Sequence, residues 1–238
     1  MKNFYRDWIK NSDLIGFQVI VKETELFVKA ERDLSVEATN SIVEFRGQIE
    51  EYIAKDSEFK TALKPYSVSD RAPLIVKEMA KASSSVGVGP FASVAGAIAE
   101  YVGKNLLKHS RQIIVENGGD IFIKSAKNRV VGIYAGLSSF NRRVGLEIKA
   151  EETPLGICTS SGTIGHSLSF GKADAVVVLS KSTLLADASA TCIGNLIKKK
   201  TDIPQGIKFA QKINGLKGVV IIKDDKMGIW GEVKICQI

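Results

Sequence analysis

The chain has 238 residues, 45% apolar and 25% charged, with a formal net charge of +7. This balance is ordinary for a globular protein, and the length suits one domain at the upper end of the usual range. The basic residues are dispersed. Their one run, Lys198-Lys199-Lys200, carries no interleaved aromatics, which argues against a nucleic-acid surface and leaves solubility or a small anionic ligand.

The first residues, MKNFYRDWIKNSD, hold neither an uninterrupted apolar run nor a small-residue cleavage site, so no signal peptide is expected. Cys158, Cys192 and Cys236 show no metal-ligand or CxxC spacing, so reduced thiols in the cytoplasm are expected. The most membrane-like stretch, Val86 to Val102, is short, rich in Gly, Ala and Ser, and carries Glu100. It reads as a buried helix and not as a membrane span.

Two β-type runs, Gly16–Val21 and Leu26–Ala30, open the chain as a hairpin. From Ser35 a long helix is expected, with Val36, Ile42, Val43, Phe45, Ile49 and Ile53 near helical spacing. A short helix over Glu58–Leu63, a loop over Lys64–Asp70 and a helix of about ten residues opened by Ala72-Pro73 follow. A Gly/Ser-rich loop, Ser83–Gly89, then leads into a helix over Pro90–Lys108, with His109 at its end.

The second half is mainly β: Gln112–Glu116, Ile121–Ser125, Val130–Tyr134, Val144–Ile148, Gly156–Thr159 and Ala175–Leu179. A helix bearing Ala186–Thr191 and another over Gln205–Ile213 precede strands at Gly218–Lys223, Gly228–Trp230 and Val233–Cys236. Irregular alternation with frequent hairpins predicts an α+β fold, a largely antiparallel sheet packed with helices, in one domain spanning 1–238.

Four segments can carry chemistry. Gly87 and Gly89 before a helix N-terminus can admit an anion to the backbone, or the small residues Ala92, Gly96 and Gly103 can serve close helix packing. Glu116-Asn117-Gly118-Gly119-Asp120 contains a favoured hairpin turn, but its flanking acids are not required by the turn, and Asp120 faces either the loop or a ligand. Cys158 to Ser167 offers the hydroxyls of Thr159, Ser160 and Ser161, the backbone at Gly162, and His166, to an anionic or sugar-like group. Cys158 itself lacks a nameable base partner and is a poor nucleophile candidate.

The fourth segment is ADASAT, 186–191. It places Asp187 and Thr191 one helical turn apart on one face, a hard-oxygen pair suited to Mg²⁺. The plainer alternative has Asp187 capping the helix and Thr191 bonding to the preceding turn.

In order, GPFASV at 89–94, ENGGD at 116–120, TSSG with His166, AVVVLS at 175–180 and ADASAT resemble the ApbE superfamily, over roughly residues 85–200. Typical members are Mg²⁺-dependent flavin transferases that cleave FAD and attach FMN to a protein threonine. The resemblance implies Asp187, Thr191 and the Ala92 carbonyl as metal ligands. It implies FAD or another nucleotide as cofactor-like ligand, near Gly89, Ala92, Asn117, Gly118, Gly119, Asp120, Thr159–Gly162 and His166. A protein acceptor is implied as partner.

The likeness is greatest to a short cytoplasmic branch that carries VGPFAxVAGAIAE and VENGGD. That branch is linked with sulfur incorporation into homocysteine, which implies a sulfur-metabolism partner and a non-catalytic accessory role as the alternative. Several features depart from the superfamily, two of them at named motifs. Ser93 stands where the GGIAKG pattern has lysine, and the DPxTG segment after the histidine is absent.

Overall fold

The computed structural model describes residues 13–162 and 170–238. Strands β1 (Ile15–Val21) and β2 (Thr24–Ala30) form the expected hairpin. Helix α1 (Ser35–Lys55) buries Ala38, Ile42, Ile49 and Tyr52, whereas Val36 and Val43 are 70% and 56% exposed. Those two valines lie seven residues apart and share a face, but it is the outer one. Helices α2 (Glu58–Thr61) and α3 (Leu74–Ser84) follow, with Pro73 just ahead of α3.

The helix expected over Pro90–Lys108 is divided. Pro90–Ser93 is a 3₁₀ turn, and α4 runs only from Val94 to Leu106, because Ser93 departs from helical geometry. Next come β3 (Ile113–Asn117), β4 (Asp120–Lys124), β5 (Arg129–Gly132), β6 (Val144–Ile148), β7 (Leu155–Ser160) and β8 (Ala175–Ser180). Helix α5 (Thr183–Leu196) carries ADASAT, and α6 (Ile203–Ala210) starts two residues earlier than the sequence suggests because Pro204 sits in its first turn. Strands β9 (Leu216–Lys223), β10 (Lys226–Gly231) and β11 (Ile235–Gln237) complete the order.

Among the described residues all strand pairs are antiparallel. Eight strands form one sheet in the order β1-β2-β3-β4-β7-β8-β9-β10, and β11-β6-β5 form a second. The fold is therefore α+β, as expected. Side chains alternate across the large sheet. Val115 and Phe122 face the core shared with α1, α3 and α4, while Ile114, Ile121, Ile123 and Ile157 meet Val131, Leu146 and Ile148 of the small sheet. Val176 and Val178 pack on Ala186 and Ile193 of α5. With helices on one face and a sheet on the other, β8 is buried throughout, which is why AVVVLS is nearly continuously apolar.

Helix α4 fits because its glycines face close neighbours. A Cβ at Gly103 would stand 2.2 Å from Phe122 Cδ1, and one at Gly96 would stand 2.5 Å from the Thr183 carbonyl oxygen and 2.8 Å from Asp187 Cβ. Gly96→Ala is expected to destabilise the protein by about 2–3 kcal/mol, because backbone cannot yield as a flexible side chain can. An unchanged urea midpoint would refute the close α4–α5 crossing.

Candidate active site

Four elements meet on the helix-covered face of the sheet: the start of α4, the β3–β4 turn, the end of β7 and the first half of α5. The turn is built by Asn117-Gly118-Gly119-Asp120, with Gly118 and Gly119 at φ of 63° and 108°. Left-handed values at both central residues match a type I′ hairpin, so both glycines are required by the backbone. Gly118 is exposed, with open space where a Cβ would lie.

The two acids flanking the turn have separate roles. Glu116 folds back and accepts the Gly119 N–H at 2.8 Å. Asp120 lies on the opposite face of the sheet, beneath the helices, and its carboxylate accepts the Thr159 N–H at 3.3 Å. Asn117 donates from Nδ2 to the Ala95 carbonyl at 3.0 Å, which ties the turn to the first turn of α4.

From α5, Asp187 Oδ2 accepts the Gly96 N–H at 2.8 Å. The cap expected of Asp187 is therefore given to α4, whose first amides have no intrahelical acceptor. Helix α5 is capped by Ser182, whose hydroxyl accepts the Leu185 N–H. Half-buried Thr191 follows Asp187 by one turn, and the Pro90–Ser93 turn bearing Ala92 packs on α5.

The electrostatics of this site are unusual. Burial pushes Asp120 up to about 7 from an ordinary 3.8, with the Thr159 amide and Cys158 opposing the shift. Burial also raises Asp187 well above its usual range, the Asp120 charge adds to this, and the Gly96 and Ala95 amides oppose it. No lysine or arginine is among the groups acting on either carboxyl. The Cys158 thiol is pushed well up by burial and by the same two carboxyls, which fits its weakness as a nucleophile.

Among the described residues no three His, Cys, Asp or Glu side chains converge on a point where a metal could sit. A set of one carboxylate, one hydroxyl and one carbonyl nevertheless suits Mg²⁺, a hard cation that keeps much of its shell in water and substrate oxygens. Buried like charges without a counter-cation are costly. The residues present therefore fit a divalent cation.

The other sequence candidates are distributed less evenly. Thr159 joins the cluster through its backbone N–H, which donates to Asp120, while strand alternation turns its side chain to the face of Ile157. Ser160 lies against Gly194 in the last turns of α5, and Gly162 donates to the Ala173 carbonyl at 2.9 Å and is pressed against Gly171. Ser161 is half-buried beside them. Gly89 is buried with its Cα against the Ala62 carbonyl, so its smallness is used by packing. His166 lies outside the described residues. Ser93 is fully buried, donates to the Pro90 carbonyl at 2.8 Å and sits 3.1 Å from the Ser83 hydroxyl, so it turns towards α3 and away from the cluster.

Sequence reasoning missed Glu100, which is buried and joins α4 to α5: Oε2 accepts the Thr183 N–H, and Oε1 pairs with Lys104 at 2.6 Å. An acid inside the small-residue run VAGAIAE was its only signal.

The fold of this chain superposes on solved ApbE structures. The flavinyl transferase ApbE of Pseudomonas stutzeri, in its apo form, superposes with a TM-score of 0.60 over 91% of this chain and 93% of that one, at 14% identity. The ApbE protein of Thermotoga maritima gives 0.54 over 92% and 97%, at 11% identity. The family model described as AbpE bacteria matches residues 6–221, and the chain belongs to this ApbE-like family. UPF0280 proteins of Methanococcus aeolicus and Methanocaldococcus jannaschii are 42% and 41% identical over 226 and 222 residues. The matches cover 92% and 91% of this chain, and 91% and 90% of those proteins. Among the described residues no helix is long and apolar enough to cross a membrane.

Proposed function

We propose that this protein binds a flavin nucleotide, or another phosphorylated ligand, through a divalent cation held by Asp187, Thr191 and the Ala92 carbonyl, and acts on it as a transferase-type enzyme. One observation carries the reading: the buried Asp187 carboxyl, held on the Gly96 amide at the α4–α5 crossing, faces the charge of buried Asp120 with no lysine or arginine acting on it. Mg²⁺ at that position would supply Lewis-acid polarisation of a phosphate or pyrophosphate oxygen. The exposed backbone at Gly118 offers close approach to an anionic ligand. Asn117 keeps the turn registered on α4, and Asp120 holds the end of β7 through the Thr159 amide.

The ApbE names of the structural neighbours support a flavin as the first ligand to try. A second reading, a non-catalytic accessory protein that serves sulfur metabolism, is favoured by Ser93. Where the superfamily pattern has a lysine, this chain has a buried hydroxyl committed to α3.

The test is incubation with FAD and MgCl₂, reading FAD binding by fluorescence and FMN and AMP release by chromatography. Mg²⁺-dependent binding with release is the result expected of the enzyme. Binding without release selects the accessory reading, and binding of neither FAD nor Mg²⁺ removes the proposal.

A further inference from the structure

Two short contacts link α4 and α5, and they are reciprocal. Gly96 and Glu100 stand one turn apart on α4, and Thr183 and Asp187 stand one turn apart on α5. The Gly96 N–H donates to Asp187, and the Thr183 N–H donates to Glu100. Each helix thus lends a carboxylate to the other's N-terminus, where free amides and the helix dipole favour an anion.

The pairing fixes an antiparallel register, with Gly96 opposite Asp187 and Glu100 opposite Thr183. Beyond that register the Pro90–Ser93 turn, which bears Ala92, also packs on α5, the helix that carries Thr191. The missing Cβ of Gly96 lets the axes come close enough for both bonds, since that atom would stand 2.5 Å from the Thr183 carbonyl oxygen. A slip of α5 by one turn would break both contacts and separate Asp187 and Thr191 from the Ala92 carbonyl.

We infer that Glu100 is a positioning residue for the cation site: its bond to the α5 N-terminus holds the register in which Asp187, Thr191 and Ala92 face one another. This rests on the reading of those three as the cation site. Glu100 touches neither the cation nor its ligands, because its two oxygens are taken by Thr183 and Lys104. Its influence must pass through the placement of α5. Supporting groups of this kind commonly alter metal affinity by about 10–100-fold.

The test compares Glu100→Ala and Glu100→Gln with the parent, using Mn²⁺ as the probe in calorimetry and following hydrogen exchange of the Gly96 amide by NMR. Glu100→Ala is expected to weaken Mn²⁺ binding at least about tenfold and to speed Gly96 exchange by a similar factor. Glu100→Gln keeps an oxygen that accepts the Thr183 N–H, and it is expected to recover both to within about threefold of the parent. If Glu100→Ala does not fold, Glu100→Asp, whose carboxylate is one methylene too short, takes its place with the same expectation.

Unchanged Gly96 exchange in the shortened variant, or an equal loss in Glu100→Gln, overturns the inference. A parent protein that fails to bind Mn²⁺ overturns the cation site instead. In that case Gly96 exchange still decides whether Glu100 sets the register.

Discussion

Asp187→Asn is expected to weaken Mg²⁺ or Mn²⁺ binding by about 100-fold or more, while raising the stability of the metal-free protein by about 1–3 kcal/mol at pH 8. The two effects have one cause. The asparagine is isosteric, and its carbonyl oxygen can still accept the Gly96 N–H that Asp187 Oδ2 accepts at 2.8 Å. The cap on α4 therefore survives, but the buried charge opposing Asp120 is gone. Removing the charge relieves the empty site and deprives the cation of its only carboxylate in the proposed set. Titration calorimetry and urea unfolding in EDTA measure the two halves. A variant that binds Mn²⁺ as the parent does would show that Asp187 is a helix cap and nothing more.

The second large effect is on pH. Asp120 has its folded-state pKa raised to about 7 from 3.8, and Asp187 is raised as well. For an acid with a raised folded pKa, the folded state keeps a proton that the unfolded chain has released. Stability is then lost as pH climbs from the unfolded value through the folded one.

Carboxyls held low by ion pairs, such as Asp13 against Arg129 and Glu50 against Lys22, act in the opposite sense but only as pH falls below about 4.5. The window from pH 5 to 7 is therefore governed by the buried pair. Urea unfolding in EDTA is expected to show stability falling across that window, and Asp120→Asn is expected to flatten the fall. Stabilisation by added Mg²⁺ should grow over the same range, because the cation competes with protons for Asp187. A flat profile in EDTA would mean that water or another group compensates the two charges.

The α+β class and nearly every element were legible in the sequence, because strand alternation, hairpin turns and helix starts are local signals. Val36 and Val43 show where local reasoning misleads. They satisfy helical spacing with each other, but only tertiary packing decides which side of α1 faces the sheet, and it chose Ala38, Ile42 and Ile49. The break at Ser93 was hidden because Pro90 suits a helix start. What ends the 3₁₀ turn is Ser93 bonding back to Pro90 and across to α3. The separate roles of Glu116 and Asp120 follow from strand parity, which puts the first on one face and the second on the other.

The site was legible as a set of motifs and not as a geometry. ENGGD and ADASAT were each singled out, and the structure brings Asp120 and Asp187 within electrostatic reach of each other. Glu100 was read only as a charge interrupting an apolar stretch. Its partner, the Thr183 amide, lies 83 residues away, and no local pattern encodes such a pairing.

The burial of Ser93 also decides how large a side chain the Pro90 turn can carry at that position. A lysine there would have to thread four methylenes and an ammonium through a space that now holds one hydroxyl between Pro90, Ser83 and the end of α3. Accommodating it would demand that α3 and the Pro90 turn move together. The serine is therefore part of the seat of α3 on the Pro90 turn, and it brings no charge to the α4–α5 crossing.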